Sequence, residues 1–373
     1  MSNQAEPDFA NAGKAPEPVA IVKHPYEDLP DTAFWRRAVA SRDAADIDPV
    51  FEPPFRITRN DRVATAGSCF AQRLSATIRT LGFNYHVPES GPATDAARDE
   101  NYGVYSARYG NIYTTAQLSQ LFERAYGLFE PDDDVWIRPD GACVDPFRPR
   151  VQAAGFASAQ AVRADRETHL ARVREVFETC DVFLFTLGLT ECWASALDGA
   201  VVPLPPGVSG APASGQAYEF ENLRVPRMTE ELLTFVDRLR RVNPDCKVVL
   251  TVSPVSIIAT WEKRHVVVSN GYSKAALRVV AETVTREREM TSYFPSYEMT
   301  VGPAAAGRYL TPDRRQVTAE GVALVTEAFA RHFLTDEERP ARPPEPKAPA
   351  SPDSFADLEA LEAVVCDEEA MDR

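Results

Sequence analysis

The sequence has no excess of Lys and Arg: 40 basic residues stand against 55 acidic ones, a formal net charge of −15. That balance argues against a nucleic-acid-binding role and against attraction to an anionic membrane surface. No apolar run approaches the ~20 residues that span a bilayer. The opening segment MSNQAEPDFANAGKAPEP lacks the basic start and apolar stretch of a secretory signal. The six cysteines, at positions 69, 143, 180, 192, 246 and 366, lack metal-site spacing, and a chain of this size needs no disulfide framework. There is no Gly-rich phosphate loop, zinc cluster or dinucleotide fingerprint, so the sequence implies neither metal nor cofactor. Together these absences predict a cytoplasmic protein with reduced thiols.

What is present suffices for one large core, since 44% of the 373 residues are apolar. Residues 1–60 carry scattered Pro and predict an irregular arm with a short helix from Thr32 to Ser41. Residues 61–335 form the main domain. Residues 336–373 are a strongly acidic tail with 12 acidic and 4 basic residues. Within the tail, Pro340 to Pro352 is Pro-rich and predicts an extended, disordered linker. Beyond it, Phe355, Leu358, Leu361, Val364 and Val365 recur at helical spacing. This short amphipathic helix either docks onto a protein partner, folds back on its own domain, or forms only weakly.

In the main domain, strand-like and helix-like stretches alternate. Strands are expected at Arg62 to Ala66, Asp181 to Leu187, Lys247 to Val252 and Ser292 to Ser296. Helices are expected at Ala71 to Leu81, Thr115 to Tyr126, Ala157 to Thr179, Thr229 to Val242, Ser273 to Arg288 and Thr318 to Phe333. The alternation predicts an α/β fold whose mostly parallel sheet carries helices on both faces. Ligands of such sheets bind beyond the carboxyl ends of the strands. Three segments stand there: Gly67-Ser68-Cys69, Gly188 to Trp193, and Ser253-Pro254-Val255. A Ser between strand end and helix start exposes its hydroxyl beside amides that stabilise an oxyanion, as acyl transfer requires. On its own, the same pattern equally describes a turn and helix cap.

The segment Gly67-Ser68-Cys69-Phe70-Ala71 resembles the motif for which the GSCFA family is named. Further resemblance lies at Tyr109-Gly110-Asn111-Ile112-Tyr113, at Phe185 to Trp193, at Thr251 to Val255 and at Tyr293 to Glu298. That family is similar to the SGNH/GDSL ester hydrolases, which implies a flavodoxin-like three-layer sandwich and four blocks of site residues. The resemblance makes Ser68 the nucleophile, with its own amide as one oxyanion donor and that of Gly110 as another. Gly188-Leu189-Thr190-Glu191 stands where a Gly-x-Asn-Asp block is expected, so Thr190 takes the Asn place and offers a hydroxyl. Glu191 and Trp193 are candidate substrate contacts, Trp193 through a stacking face for sugar rings.

The fourth block departs from the pattern. Asp313-Arg314-Arg315-Gln316 keeps the Asp but places Gln where the general-base His belongs, and Gln cannot usefully accept a proton. Of the five histidines, His265 follows the Ser253-Pro254-Val255 strand end and is the candidate substitute base, with Asp313 orienting it. Cys69 is an alternative reactive atom or a small buried apolar residue. Two functions stay open. One is a serine esterase or O-acyltransferase acting on a small-molecule or glycan ester; the other is a non-catalytic binding or scaffold protein that has lost the base.

Overall fold

Strands that read as short apolar runs become one parallel sheet because the connections between successive strands run through helices long enough to cross back over it. The structure, a computed structural model, describes residues 24–91, 100–335 and 367–372. The chain divides into two units, Met1–Ile47 and Asp48–Arg373. In the first, the short helix expected between Thr32 and Ser41 is split into a 3-10 turn at Asp31–Ala33 and a π-helical turn at Arg36–Ala40. Neither turn buries a side chain, so nothing holds a longer helix together.

The second unit opens with β1 (Ile57–Thr58), β2 (Val63–Gly67) and α1 (Phe70–Thr80). There follow α2 (Thr115–Ala125), β3 (Trp136–Ile137), β4 (Cys143–Val144), α3 (Ala159–Thr179) and β5 (Val182–Leu187). An excursion through β6 (Glu191–Ser195), β7 (Val201–Val202), β8 (Ala211–Pro212) and β9 (Tyr218–Asn222) leads to α4 (Val225–Val242). The chain continues with β10 (Lys247–Val252), α5 (Val266–Glu287), β11 (Thr291–Phe294), α6 (Ser296–Thr300), α7 (Ala319–Phe333) and β12 (Leu334–Thr335).

The four main strands lie in the order β11-β10-β5-β2, all parallel. Their register sets Gly67 opposite Thr186, Val252 opposite Leu187, and Thr251 opposite Phe294. All four carboxyl ends therefore finish along one edge. Every residue of β5 is buried, and alternate side chains enter different cores. Phe183, Phe185 and Leu187 join the cluster built with α2 to α5, whereas Val182 and Leu184 join the one built with α1 and α7. Each such large apolar side chain contributes roughly 1.5–3 kcal/mol on burial.

Two small antiparallel sheets, ordered β4-β3-β8 and β7-β6-β9, were not expected. The sequence places Gly188 to Trp193 after a strand end and marks no further strand there. Yet Cys192 and Ala194 are buried while Glu191 and Trp193 are half-exposed, the two-residue period of a sheet strand. Helix α5 begins at Val266 rather than Ser273, because His265 caps it by accepting the Val267 amide. Among the described residues no helix is long and apolar enough to cross a membrane. The expected Pro-rich linker and amphipathic helix lie outside the described residues.

Candidate functional site at the sheet edge

At the end of β2 the chain turns sharply. Gly67 has φ of +132°, and a Cβ there would stand 2.4 Å from the Thr186 carbonyl oxygen, so only glycine fits. The turn puts Ser68 just before α1, where the Ala71 amide donates to the Ser68 carbonyl at 2.9 Å and the Gln72 amide to the Cys69 carbonyl at 3.1 Å. Ser68 is 3% exposed, and its Oγ finds no hydrogen-bond partner among the described residues. A buried hydroxyl without a partner is costly unless function uses it. The Ser68 amide, expected to be an oxyanion donor, instead donates to the Thr186 carbonyl at 3.1 Å, which fixes the turn.

The second wall is the loop from Tyr105 to Tyr113. Ile112 N–H donates to the Gly67 carbonyl at 2.9 Å, and Gly188 N–H donates to the Tyr113 carbonyl at 2.9 Å, so the loop is stitched between β2 and β5. Gly110 makes the bend with φ of +66°. Behind the bend, buried Arg108 donates to the Asp165 carboxylate at 2.8 Å and to the Val151 and Glu100 carbonyls, while its amide donates to Glu89. Asn111 is buried, and its Oδ1 accepts the Tyr105 hydroxyl, which orients the side-chain amide outward toward the site.

The third wall is a lysine that sequence reasoning missed. Lys274 of α5 is 1% exposed and donates from Nζ to the Gly188 carbonyl at 2.8 Å. Across the same residue lies Ser68: a Cβ on Gly188 would meet the Ser68 Cβ at 3.1 Å and the Tyr113 ring at 3.1 Å. Gly188 is thus the small residue that lets serine and lysine approach from two sides. Burial drives the Lys274 pKa down to about 8, against the pull of the Glu368 carboxylate. Lys274 shares the buried stripe of Leu277, Ala281 and Val284, a spacing that does not by itself separate it from a solvated lysine.

The remaining candidates have partners of their own. Thr190 is buried and donates its hydroxyl to Asn222 Oδ1 at 2.8 Å, so that proton is committed. Both oxygens of Glu191 hold the next loop, accepting from Thr260 Oγ1 at 2.6 Å and the Trp261 amide at 3.1 Å. Trp193 packs edge-on against Trp261 at 5.3 Å, and Trp261 is 67% exposed. Asp313 is exposed and accepts from Thr311 Oγ1 and the amides of Arg315 and Gln316, closing its own turn rather than orienting a base. His265 is exposed, with Nδ1 occupied as the cap of α5, so the proton acceptor assigned to it is unavailable at Nδ1. Cys69 is buried beside Val255.

The site is filled from within the chain. Residues Asp367–Asp372 form a 3-10 turn in which Asp367 and Glu368 are buried. The Asp367 carboxylate accepts from the side-chain amide and backbone N–H of Asn111, and its own amide donates to Tyr113 Oη at 3.1 Å. Burial pushes the Asp367 carboxyl up, opposed by Asn111 and Arg150. Glu368 lies 3.6 Å from the Arg315 guanidinium, and Glu369 lies 3.7 Å from it and 3.5 Å from Gln316 Nε2. The Glu368 carboxyl is pushed up by burial, with Arg315 and Lys274 opposing.

Among the described residues no group of three or more His, Cys, Asp and Glu side chains is arranged to hold a metal ion. The model of the GSCFA family matches residues 62–329. No curated protein matches the chain. Of solved structures, a variant of an acetyl-xylooligosaccharide esterase from Geobacillus Stearmophilus is similar at 13% identity and a TM-score of 0.30, over 76% of this chain and 100% of that one. A carbohydrate esterase family 2 enzyme with a carbohydrate binding domain from Corynascus thermopiles is similar at 11% identity and a TM-score of 0.27, over 76% and 68%. An acetyl xylan esterase from Butyrivibrio proteoclasticus is similar at 8% identity and a TM-score of 0.28, over 73% and 63%.

Proposed function

The chain belongs to the GSCFA family, and from that premise we propose that it is an SGNH-type three-layer sandwich working as a serine esterase or O-acyltransferase. Ser68 is the nucleophile and Lys274 the general base. One observation carries this: Gly188 lies against the buried Ser68, whose Oγ has no partner among the described residues, and the same glycine's carbonyl accepts from the buried Lys274 amine. A lysine whose pKa lies near 8 holds a substantial neutral fraction at neutral pH, and the amine supplies the base that Gln316 cannot.

The chemistry follows from that pairing. Neutral Lys274 takes the Ser68 proton as Oγ bonds to the acyl carbon, and the carbonyl electron pair moves onto oxygen. The side-chain amide and N–H of Asn111, which hold the Asp367 carboxylate, are the donors for that oxyanion. Collapse breaks the ester C–O bond, and the departing alkoxide takes the proton from the Lys274 ammonium. Water then gives its proton to Lys274 and attacks the acyl-serine, releasing the acid and Ser68. A hydroxyl acceptor in place of water gives acyl transfer. A carbohydrate ester is the favoured substrate class, because exposed Trp261, edge-on to Trp193, offers a ring face beside the loop held by Glu191.

A fluorophosphonate probe tests the assignment. Labelling is expected in the wild type and in Cys69→Ser, and is expected to vanish in Ser68→Ala. If folded protein fails to label, with or without Asp367 and Glu368 reversed to Lys, the esterase reading is wrong.

A further inference from the structure

We propose that Asp367 to Glu369 are an intramolecular occupant of the ester site, holding it closed until the segment is displaced. The contacts fall on the proposed oxyanion donors and on the proposed base. The Asp367 carboxylate takes the Asn111 donors assigned to the oxyanion, and the Asp367 amide donates to the Tyr113 hydroxyl oxygen. Its Oδ2 lies 3.9 Å from where a Cβ on Gly110 would stand. Glu368 faces Arg315 and the Lys274 amine, and Glu369 contacts Gln316, the position opposite the nucleophile in the family pattern. A carboxylate oxygen carries the negative charge that oxyanion donors meet, so the same N–H groups donate to it.

The manner of docking argues that the segment is not a permanent part of the fold. Of its six described residues, the two that are buried are both acidic, so no buried apolar side chain anchors it. Glu368 and Glu369 share the Arg315 guanidinium, Glu368 also acts on the Lys274 amine and Asp367 on Arg150, and the desolvation of buried charge offsets much of the Coulombic gain. The docked and released states are therefore close in free energy. This inference takes its meaning from the esterase assignment, but the docking itself is measured independently of it.

The experiment uses the full chain, wild type and Asp367→Lys/Glu368→Lys, with two readouts. The first is anisotropy of a fluorescein-labelled peptide of residues 364–373, with Ser in place of Cys366. The second is the rate of fluorophosphonate labelling at Ser68. The peptide is expected to bind the charge-reversed chain and not the wild type, and labelling to rise about tenfold, as when a state populated near one tenth becomes dominant. A protease site inserted after Ala350 gives the same release without altering any contacting residue, and cutting the folded protein is expected to raise labelling equally. Peptide binding with no labelling in any form supports the docking and removes the esterase assignment. Equal labelling in all forms without peptide binding overturns the docking and leaves the esterase assignment standing. Neither binding nor labelling overturns both.

Discussion

A lysine amine enclosed by protein is stable only if it is paired or kept neutral, and Lys274 does a little of each. Burial lowers its pKa to about 8, the Glu368 and Cys69 side chains raise it, and Arg315 lowers it again. Because the neutral form is the base, kcat/KM on an acetyl ester is expected to rise with pH through about 8 and level off above it. Removing the Glu368 charge takes away a term that favours the ammonium, so Glu368→Gln is expected to shift that midpoint to lower pH. Lys274→Met is expected to lower kcat on the order of 10²–10⁴-fold, and Lys274→Arg not to restore it, since a guanidinium stays protonated. A pH profile unchanged by Lys274→Met would show that the lysine only supports Gly188. Ser68 was legible in the sequence because a strand, a glycine and a helix start mark the place. Lys274 was not, because a single lysine in an apolar stripe is outvoted by the many that lie on solvated faces. His265 drew attention as a base by residue type, while its position before α5 better described a cap.

At the scale of elements, the loop carrying Gly110 and Asn111 is only as rigid as the ionic cluster behind it. Arg108, Arg148, Asp145 and Asp165 interlock there, with Arg148 and Asp145 at 2.9 Å. Burial alone would raise the Asp145 carboxyl, but Arg166 and Arg148 hold it far below the usual carboxylate range. Beside them, buried His169 donates from Nδ1 to Glu89 at 2.8 Å. Burial, reinforced by Arg148, lowers its pKa from 6.5 to about 4, so the contact joins a neutral imidazole to a carboxylate. The folded state then binds fewer protons than the unfolded chain between those two values. Stability is fully present above pH 6.5 and falls as pH drops toward 4, by about 3 kcal/mol from this residue. Urea midpoints measured at pH 7, 5.5 and 4.5 are expected to decline in the wild type, with a shallower decline in His169→Gln. The parallel strands were readable because β5 and β10 are apolar on both faces. In the small antiparallel sheets the two-residue strands β3, β4, β7 and β8 are too short to show a period, and only β6 and β9 reach five residues.

For the whole molecule, the segment after the Pro-rich stretch could be recognised as acidic and tethered, which suggested a partner. Its destination was not legible, since nothing in a run of acidic residues distinguishes a solvated tail from one held by Asn111, Arg315 and Lys274. The covalent join through residues 336–366 has a further consequence. Closure is a ratio between two arrangements of one molecule, so it contains no concentration term. Labelling per molecule is expected to be constant from nanomolar to micromolar protein, whereas a segment borrowed from a second copy would let go on dilution. Such a chain carries its own dose of inhibitor at a fixed ratio of one to one, and no amount of further synthesis can change it.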